Sequence, residues 1–166
     1  MEPDRCRELD AGLRRPDRPK YQALRAWLDG LGDVEDCIAD GLRRSSEGED
    51  WLGFEHYVFA AFQRPSRSYT AVLCEVLARR DIDDFNYEDI VDVLAEIRDP
   101  ASVGCLRDTL SWEPEWDEFR HMAVKCIWAL AAIGTPDAVA AIRDAATCDA
   151  FKVREAAAHE LKRLGG

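Results

Sequence analysis

The chain has 166 residues, of which 47% are hydrophobic and 33% charged, and its formal net charge is −11. This length supports one ordinary domain with a continuous core, and the composition excludes a disordered chain. The most apolar stretch, residues 126–142, is interrupted by Gly134, Pro136 and Asp137, so it falls short of the ~20 apolar residues of a membrane-spanning helix.

The first 18 residues are charged throughout and lack the hydrophobic core of a signal peptide. We interpret residues 1–18 as a charged tail and residues 19–166 as a single domain, and we expect a cytoplasmic protein. The six cysteines form no Cys-x-x-Cys motif, and most of them lie in apolar helical stretches. The sequence therefore favours reduced thiols, with paired disulfides as the alternative.

From residue 20 onward, apolar residues recur at intervals of three and four, without a convincing period of two. Helices are predicted over residues 20–30, 33–44, 50–63, 67–80, 86–97, 100–110, 118–133, 136–146 and 150–164. Helix breakers such as Gly30 and Pro65 lie between these segments. The pattern predicts an all-α fold of short antiparallel helices joined by tight turns.

Two segments in the second half of the chain repeat each other. Residues 89–110 align with residues 125–146 without a gap at an offset of 36, and seven of the 22 aligned positions are identical, Pro100 with Pro136 among them. A third copy of the second helix follows over residues 156–165. Such a period predicts stacked helix pairs, each of which buries one apolar stripe against the next pair.

The last of these units resembles a known family. Residues 135–165, TPDAVAAIRDAATCDAFKVREAAAHELKRLG, are similar to a HEAT-like repeat of the phycobilisome-lyase type found in small bacterial α-solenoid proteins. Pro136 stands where such a repeat opens its first helix, and Val153 and Arg154 stand where it opens the second. The resemblance is strongest over residues 86–166. It implies a right-handed α-solenoid of antiparallel helix pairs, about four in number.

This resemblance implies an architecture rather than an activity. The sequence contains no nucleophile signature, no glycine-rich phosphate loop and no paired zinc-ligand motif. Glu118 and His121 share a helix face, but a di-iron site needs a second such motif. The chain also has one His-Glu pair, His159-Glu160, where HEAT-like deoxyhypusine hydroxylases use repeated pairs to hold iron. We therefore predict a protein that is not an enzyme and has no cofactor or metal; the alternative is a metal- or cysteine-dependent enzyme or a lyase-associated component.

The acidic excess is concentrated in one quarter of the chain. Residues 81–118 contain 13 acidic residues and only two basic ones, Arg98 and Arg107, a balance of −11. This balance disfavours nucleic acid and favours a protein partner with a basic surface, although a solvated acidic surface would look the same. By analogy with small acidic HEAT-like proteins, one version is an immunity protein that neutralises a basic toxin. We expect no membrane partner, and the oligomeric state stays open.

In the family, the second helix of each pair usually lines the concave surface. Projecting these helices at about 100° per residue places one set of side chains opposite the core stripe. The predicted partner-binding residues on this face are Asp89, Asp92, Glu96, Lys125, Trp128 and His159. A tryptophan in such a position either packs under a neighbouring element or anchors a partner, and both interpretations of Trp128 stay open.

The loop SWEPEWDE, residues 111–118, is a second candidate for partner binding. It contains Trp112 and Trp116 among acidic residues, a combination that suits a Lys- or Arg-rich surface. The alternative is that both rings fold back over the helix ends.

Overall fold

The computed structural model describes residues 3–165, and these residues form ten α-helices and no β-strand. The helices are α1 Pro3–Leu13, α2 Tyr21–Leu31, α3 Glu35–Glu47, α4 Trp51–Gln63, α5 Thr70–Arg79, α6 Tyr87–Ile97, α7 Val103–Leu110, α8 His121–Ile133, α9 Pro136–Ala145 and α10 Phe151–Arg163. Short 3-10 turns over Arg67–Tyr69 and Pro100–Ser102 lead into α5 and α7. The predicted all-α fold is confirmed.

The helices pack in two layers. Each odd-numbered helix contacts the next odd-numbered one, from α1 to α9, and we call these helices the first-helix layer. The even-numbered helices contact one another in the same way, from α2 to α10, and form the second-helix layer. Each helix also contacts its partner in the other layer, so the described residues form a solenoid of five pairs. The sequence predicted about four pairs because it did not include α1.

The turn between α8 and α9 shows why the pairs end where they do. Gly134 has φ 67°, a left-handed conformation that glycine adopts without strain, and its N–H donates to the Leu130 carbonyl. Pro136 then occupies the first helical position, where its missing N–H is not needed. The Thr135 side chain accepts a hydrogen bond from the Ala138 N–H and caps α9. Residues Gly134, Thr135 and Pro136 therefore form the junction between two repeats.

The two layers enclose one continuous apolar core that extends from Leu9 in α1 to Ala157 in α10. Phe54, Leu94 and Ile127, from three successive helices of the second-helix layer, are completely buried. Truncating a buried Leu or Ile to Ala costs about 2–5 kcal/mol. These residues therefore contribute strongly to the stability of the stack.

The first helix corrects the prediction of a charged tail over residues 1–18. Residues 3–13 form α1, whose Leu9 and Leu13 are buried in the core. The Tyr57 hydroxyl of α4 donates to the Asp10 carboxylate at 2.7 Å and ties α1 to the domain. This segment has a narrow apolar stripe surrounded by charged residues. Because most of its residues are charged, its composition does not indicate a helix that packs on the core. Met1 and Glu2, also in the predicted tail, lie outside the described residues, as does Gly166.

Two disulfides join neighbouring helices of the first-helix layer. Cys6 of α1 pairs with Cys37 of α3, and Cys74 of α5 pairs with Cys105 of α7; the Cα atoms lie 5.1 and 5.7 Å apart. Both pairs are separated by 31 residues, about one helix pair, which brings them side by side in the stack. The prediction of mostly reduced thiols is therefore wrong for these four cysteines. Two cysteines are free, Cys126 and Cys148.

Candidate functional site

Lys125 links the two central helices of the second-helix layer. Its Nζ lies 2.6 Å from Asp92 Oδ2 and 3.3 Å from Glu88 Oε2, both on α6. Burial alone would lower the pKa of Lys125, but the hydrogen bonds and charges of the two carboxylates outweigh burial and raise the pKa. Lys125 and Asp92, both predicted to bind a partner, are thus brought together and largely neutralise each other.

Asp89 and Glu96 flank Asp92 on the same helix, one turn away on either side. Within the described residues, the side chains of Asp89 and Glu96 accept no hydrogen bond and form no ion pair. Asp89 is half-buried, and its burial is the largest cause of a raised pKa; Lys125 opposes the rise and nearby carboxylates add to it. Asp89 and Glu96 are therefore acids of this face that have no ion-pair partner among the described residues.

Trp128 lies one turn after Lys125 on α8, so both project from the same side of the helix. The Lys125–Asp92 contact joins α8 to α6, and Trp128 and Glu96 each lie one turn further along their helices. Trp128 is 53% exposed, whereas its neighbours Ile127 and Ala129 are completely buried. Of the two interpretations of this residue, the structure excludes burial under a neighbouring element.

His159 lies on α10, which packs beside α8 in the second-helix layer. The His159 side chain is 73% exposed, and its Nδ1 lies 3.5 Å from Glu160 Oε1. Glu160 is buried and also accepts a 2.7 Å hydrogen bond from the Arg163 Nε. The helix order α6, α8, α10 is the one that the predicted row of Asp92, Trp128 and His159 requires.

An exposed apolar surface on α4 was not predicted. Leu52 is 67% exposed, Phe59 41% and Phe62 40%. Phe59 and Phe62 border a cavity of about 370 Å³ between the segment leading into α2, α4 and α6; we call it the α4 pocket. The sequence carried a signal for this surface, because residues 51–63 are apolar on every side of the helix. Such a helix is either wholly buried or exposes apolar surface.

Trp112 and Trp116, in the loop before α8, have different environments. Trp112 is half-buried: its ring lies edge to face with Tyr87 at 5.1 Å, and the Arg80 guanidinium lies 5.5 Å from the ring centroid. Trp116 is 56% exposed and packs edge to face on Trp112 at 5.8 Å. The Arg80 guanidinium therefore already forms a cation–π contact with the Trp112 ring, and Trp116 is the exposed tryptophan of this loop.

The loop is held by two charged side chains. Asp117 is buried, and its carboxylate accepts hydrogen bonds from the N–H groups of His121 at 2.7 Å and Met122 at 2.9 Å. This capping carboxylate starts α8 at His121 rather than at residue 118 as predicted. Arg120 donates to Glu113 at 2.8 Å and neutralises one acid of the loop.

The metal- or cysteine-dependent alternative depends on free thiols and on clusters of metal ligands. Burial raises the pKa of the Cys126 thiol, which disfavours the reactive thiolate, and four other cysteines are in disulfides. Within residues 3–165, no group of three or more His, Cys, Asp or Glu side chains could hold a metal ion. The cysteine-dependent alternative is thus left with Cys148, which is half-buried.

A family model of HEAT repeats matches residues 70–162, from the start of α5 to the end of α10. The match covers more than half of the chain, which therefore belongs to the HEAT-repeat family. HEAT repeats commonly serve as protein-interaction modules and generally act as non-enzymatic scaffolds. No match was found among curated proteins or among solved structures.

No helix among the described residues is long and apolar enough to cross a membrane. The cytoplasmic location and the phycobilisome-lyase type of the repeat stay predictions. The expected reduced thiols were one observation in favour of a cytoplasmic location. The two disulfides remove this support, because disulfides are rare in reducing compartments.

Proposed function

We propose that the protein binds another protein, without catalysis, through the second-helix face around Trp128 and the loop that carries Trp116. The observation that supports this proposal best is the exposure of Trp128, at 53%, on a helix that packs beside α6, which carries the unpaired acids Asp89 and Glu96. Tryptophan is enriched among the residues that dominate binding energy, and an exposed indole on a rigid helix loses little conformational entropy on binding.

The charge of this surface favours a partner with a basic, partly apolar face. Lys125 and Arg120 neutralise several acids of residues 81–118, yet Asp89 and Glu96 on α6 and Glu115 in the loop remain unpaired within the described residues. Unpaired charges at the rim of an interface mainly accelerate association and make it sensitive to salt. An immunity protein that neutralises a basic toxin, such as a nuclease, is the specific version that we propose.

The charge proposal is tested with a partner captured from the source organism and then purified. The variant Asp89→Asn/Glu96→Gln/Glu115→Gln removes three unpaired acids from the proposed surface. The control Glu75→Gln/Asp108→Asn/Asp144→Asn removes three exposed acids from the first-helix layer and leaves the same net charge. We expect the first variant to slow association about 10-fold at low salt, and the control to associate like the wild type. Equal rates for both variants would exclude this surface as the acidic binding face.

The aromatic part of the proposal is tested by Trp128→Ala and Trp116→Ala, with Phe151→Ala as the control. Phe151 is 62% exposed at the start of α10, two turns before His159, and is not one of the residues of the proposed surface. Loss of a dominant interface residue costs at least about 2 kcal/mol, which corresponds to roughly 30-fold in Kd. We expect that loss for Trp128→Ala, mainly as faster dissociation. An unchanged Kd for both tryptophan variants would contradict the proposal.

A further inference from the structure

The α4 pocket combines aromatic walls with polar groups that have no partner. Phe59 and Phe62 of α4 and Tyr21 of α2 contribute rings, and Val93 of α6 contributes an apolar side chain. Tyr21 is 82% exposed, so the aromatic wall is open to a ligand that arrives from solvent. At about 370 Å³, the cavity is at the small end of ligand pockets and suits one large side chain rather than an extended molecule.

One carboxylate and one imidazole nitrogen at this pocket have no hydrogen-bond partner among the described residues. His56 lines it and is only 8% exposed, and its Nδ1 is buried without a hydrogen-bond partner among the described residues. Burial, followed by the charges of Arg18 and Arg14, lowers the pKa of His56, so the imidazole is neutral at pH 7. Asp89 also lines the pocket and accepts no hydrogen bond. Partial burial of a carboxylate without a donor is costly, so Asp89 favours a ligand that donates a hydrogen bond.

The charges around the pocket decide which donor fits. Arg18 and Lys20 line it on the α2 side, and Asp89 lines it on the α6 side. Asp92 also lines the pocket, but it forms an ion pair with Lys125. A cationic side chain would meet Arg18 and Lys20, and a carboxylate would meet Asp89. A neutral aromatic ring with an O–H or N–H group avoids both repulsions.

We propose that the α4 pocket is the anchor site for a tyrosine or tryptophan side chain of the partner protein. The ring packs against Phe59 and Phe62, and its O–H or N–H donates to the Asp89 carboxylate. This inference rests on the proposed function, because it assumes a protein partner on the second-helix face. It adds an anchor pocket about two helices away from Trp128, on the same layer.

The test uses small probes on the isolated chain. Binding of 4-methylphenol and toluene is followed by NMR shifts of the Val58 and Val93 methyl groups, both of which line the pocket. We expect 4-methylphenol to shift these methyl groups and to bind about 10-fold more tightly than toluene, because only the phenol donates to a charged acceptor. Equal affinities, or no shifts at these methyl groups, would overturn the proposal. Tighter binding of butylguanidinium or 4-methylbenzoate than of 4-methylphenol would also overturn it, in favour of a charged anchor.

Three variants locate the probe. Asp89→Asn keeps the shape of the side chain, and we expect it to remove most of the preference for 4-methylphenol over toluene. Phe59→Ala should weaken both probes at least 5-fold, and Phe151→Ala, an exposed phenylalanine on α10, should change neither. If Asp89→Asn retains the full preference, Asp89 is not the acceptor and the proposal is wrong.

The outcomes separate this inference from the proposed function. If the probes show no selectivity but the three-acid variant still slows association with the partner, the anchor is excluded and the proposed binding surface stands. If the probe selectivity is present but neither the charge variants nor the tryptophan variants affect the partner, the proposed surface is excluded. In the complex, one tyrosine or tryptophan of the partner should, when changed to Ala, cost about 30-fold in Kd, and this loss should shrink in the Phe59→Ala background.

Discussion

The first-helix layer is cross-linked by Cys6–Cys37 and Cys74–Cys105, whereas α6 and α8 of the second-helix layer are joined by the ion pairs of Lys125. The exposed surfaces differ as well. No helix of the first-helix layer has an exposed large hydrophobic side chain among the described residues, while the second-helix layer exposes Tyr21, Leu52, Phe59, Phe62, Trp128 and Phe151.

On the proposed function, the first-helix layer serves stability and the second-helix layer serves binding. Covalent links along one layer stabilise the stack without using its other face, so the second-helix layer can keep exposed rings and an unpaired acid such as Asp89. Surfaces of this kind are usually slightly unfavourable for the isolated fold, because residues that serve binding are not optimised for stability. The following changes test that separation, from the largest expected effect on stability to the smallest.

Removing the second disulfide with Cys74→Ser/Cys105→Ser should lower the free energy of unfolding by about 3 kcal/mol, because the bridge closes a long loop in the unfolded chain. Urea denaturation followed by helical circular dichroism measures the loss. Cys148→Ser, at a free half-buried cysteine, is the control and should change stability much less. Thiol titration of the denatured, unreduced protein should find two free thiols; six would contradict the cross-linked layer.

Lys125→Met should lower the free energy of unfolding by about 1 kcal/mol, near the top of the range for surface pairs, because the Lys125 side chain is only 23% exposed. The folded-state pKa of Lys125 is raised, so its contribution is fully present below the ordinary value of 10.5 and is lost as the pH rises through the higher folded value. Urea denaturation should therefore show a constant difference from the wild type between pH 7 and pH 9. Lys152→Met, at an exposed lysine on α10, should show no comparable loss.

Asp89→Asn should raise the free energy of unfolding by about 0.5 kcal/mol at pH 7. The folded-state pKa of Asp89 lies above the ordinary 3.8, so its charge destabilises the fold as the pH rises through the folded value. Lys125 reduces this effect, while Asp92, Glu55 and Glu88 increase it. The gain should therefore vanish near pH 3, where Asp89 is protonated in both states. The control is Asp83→Asn in an exposed loop. A loss of stability at pH 7 for Asp89→Asn, or a gain equal to that of the control, would show that the ionised Asp89 carboxylate does not destabilise the fold.

Trp128→Ala should change the free energy of unfolding by less than about 0.5 kcal/mol, because most surface substitutions stay within that range. The adjacent Ile127 is completely buried, and Ile127→Ala should cost about 3 kcal/mol in the same urea experiment. Similar losses for the two variants would mean that the indole packs on the domain, and Trp128 would then no longer be available to a partner.

Several parts of this molecule could be predicted from local sequence. The spacing of apolar residues in the predicted helix 118–133 placed Trp128 opposite the core stripe, and Pro136 marked the start of a repeat. The same reasoning failed for α1, whose apolar stripe is narrow, and for the exposed rings of α4, where apolar residues on every side hide which ones face solvent. Both failures concern helices whose buried face depends on neighbours that are distant in sequence.

The sequence by itself determined nine of the ten helices among the described residues, the repeat and the acidic segment, because each depends on residues within one or two turns or on composition. The tertiary structure decided which charges and rings are free. Lys125 meets Asp92 across 33 positions, Arg80 covers Trp112 across 32, and the cysteines of each disulfide are 31 apart. These separations are about one repeat, so only stacking of the helix pairs brings the partners together. Among the described residues, stacking leaves Trp128 and Trp116 exposed and Asp89 without an ion pair.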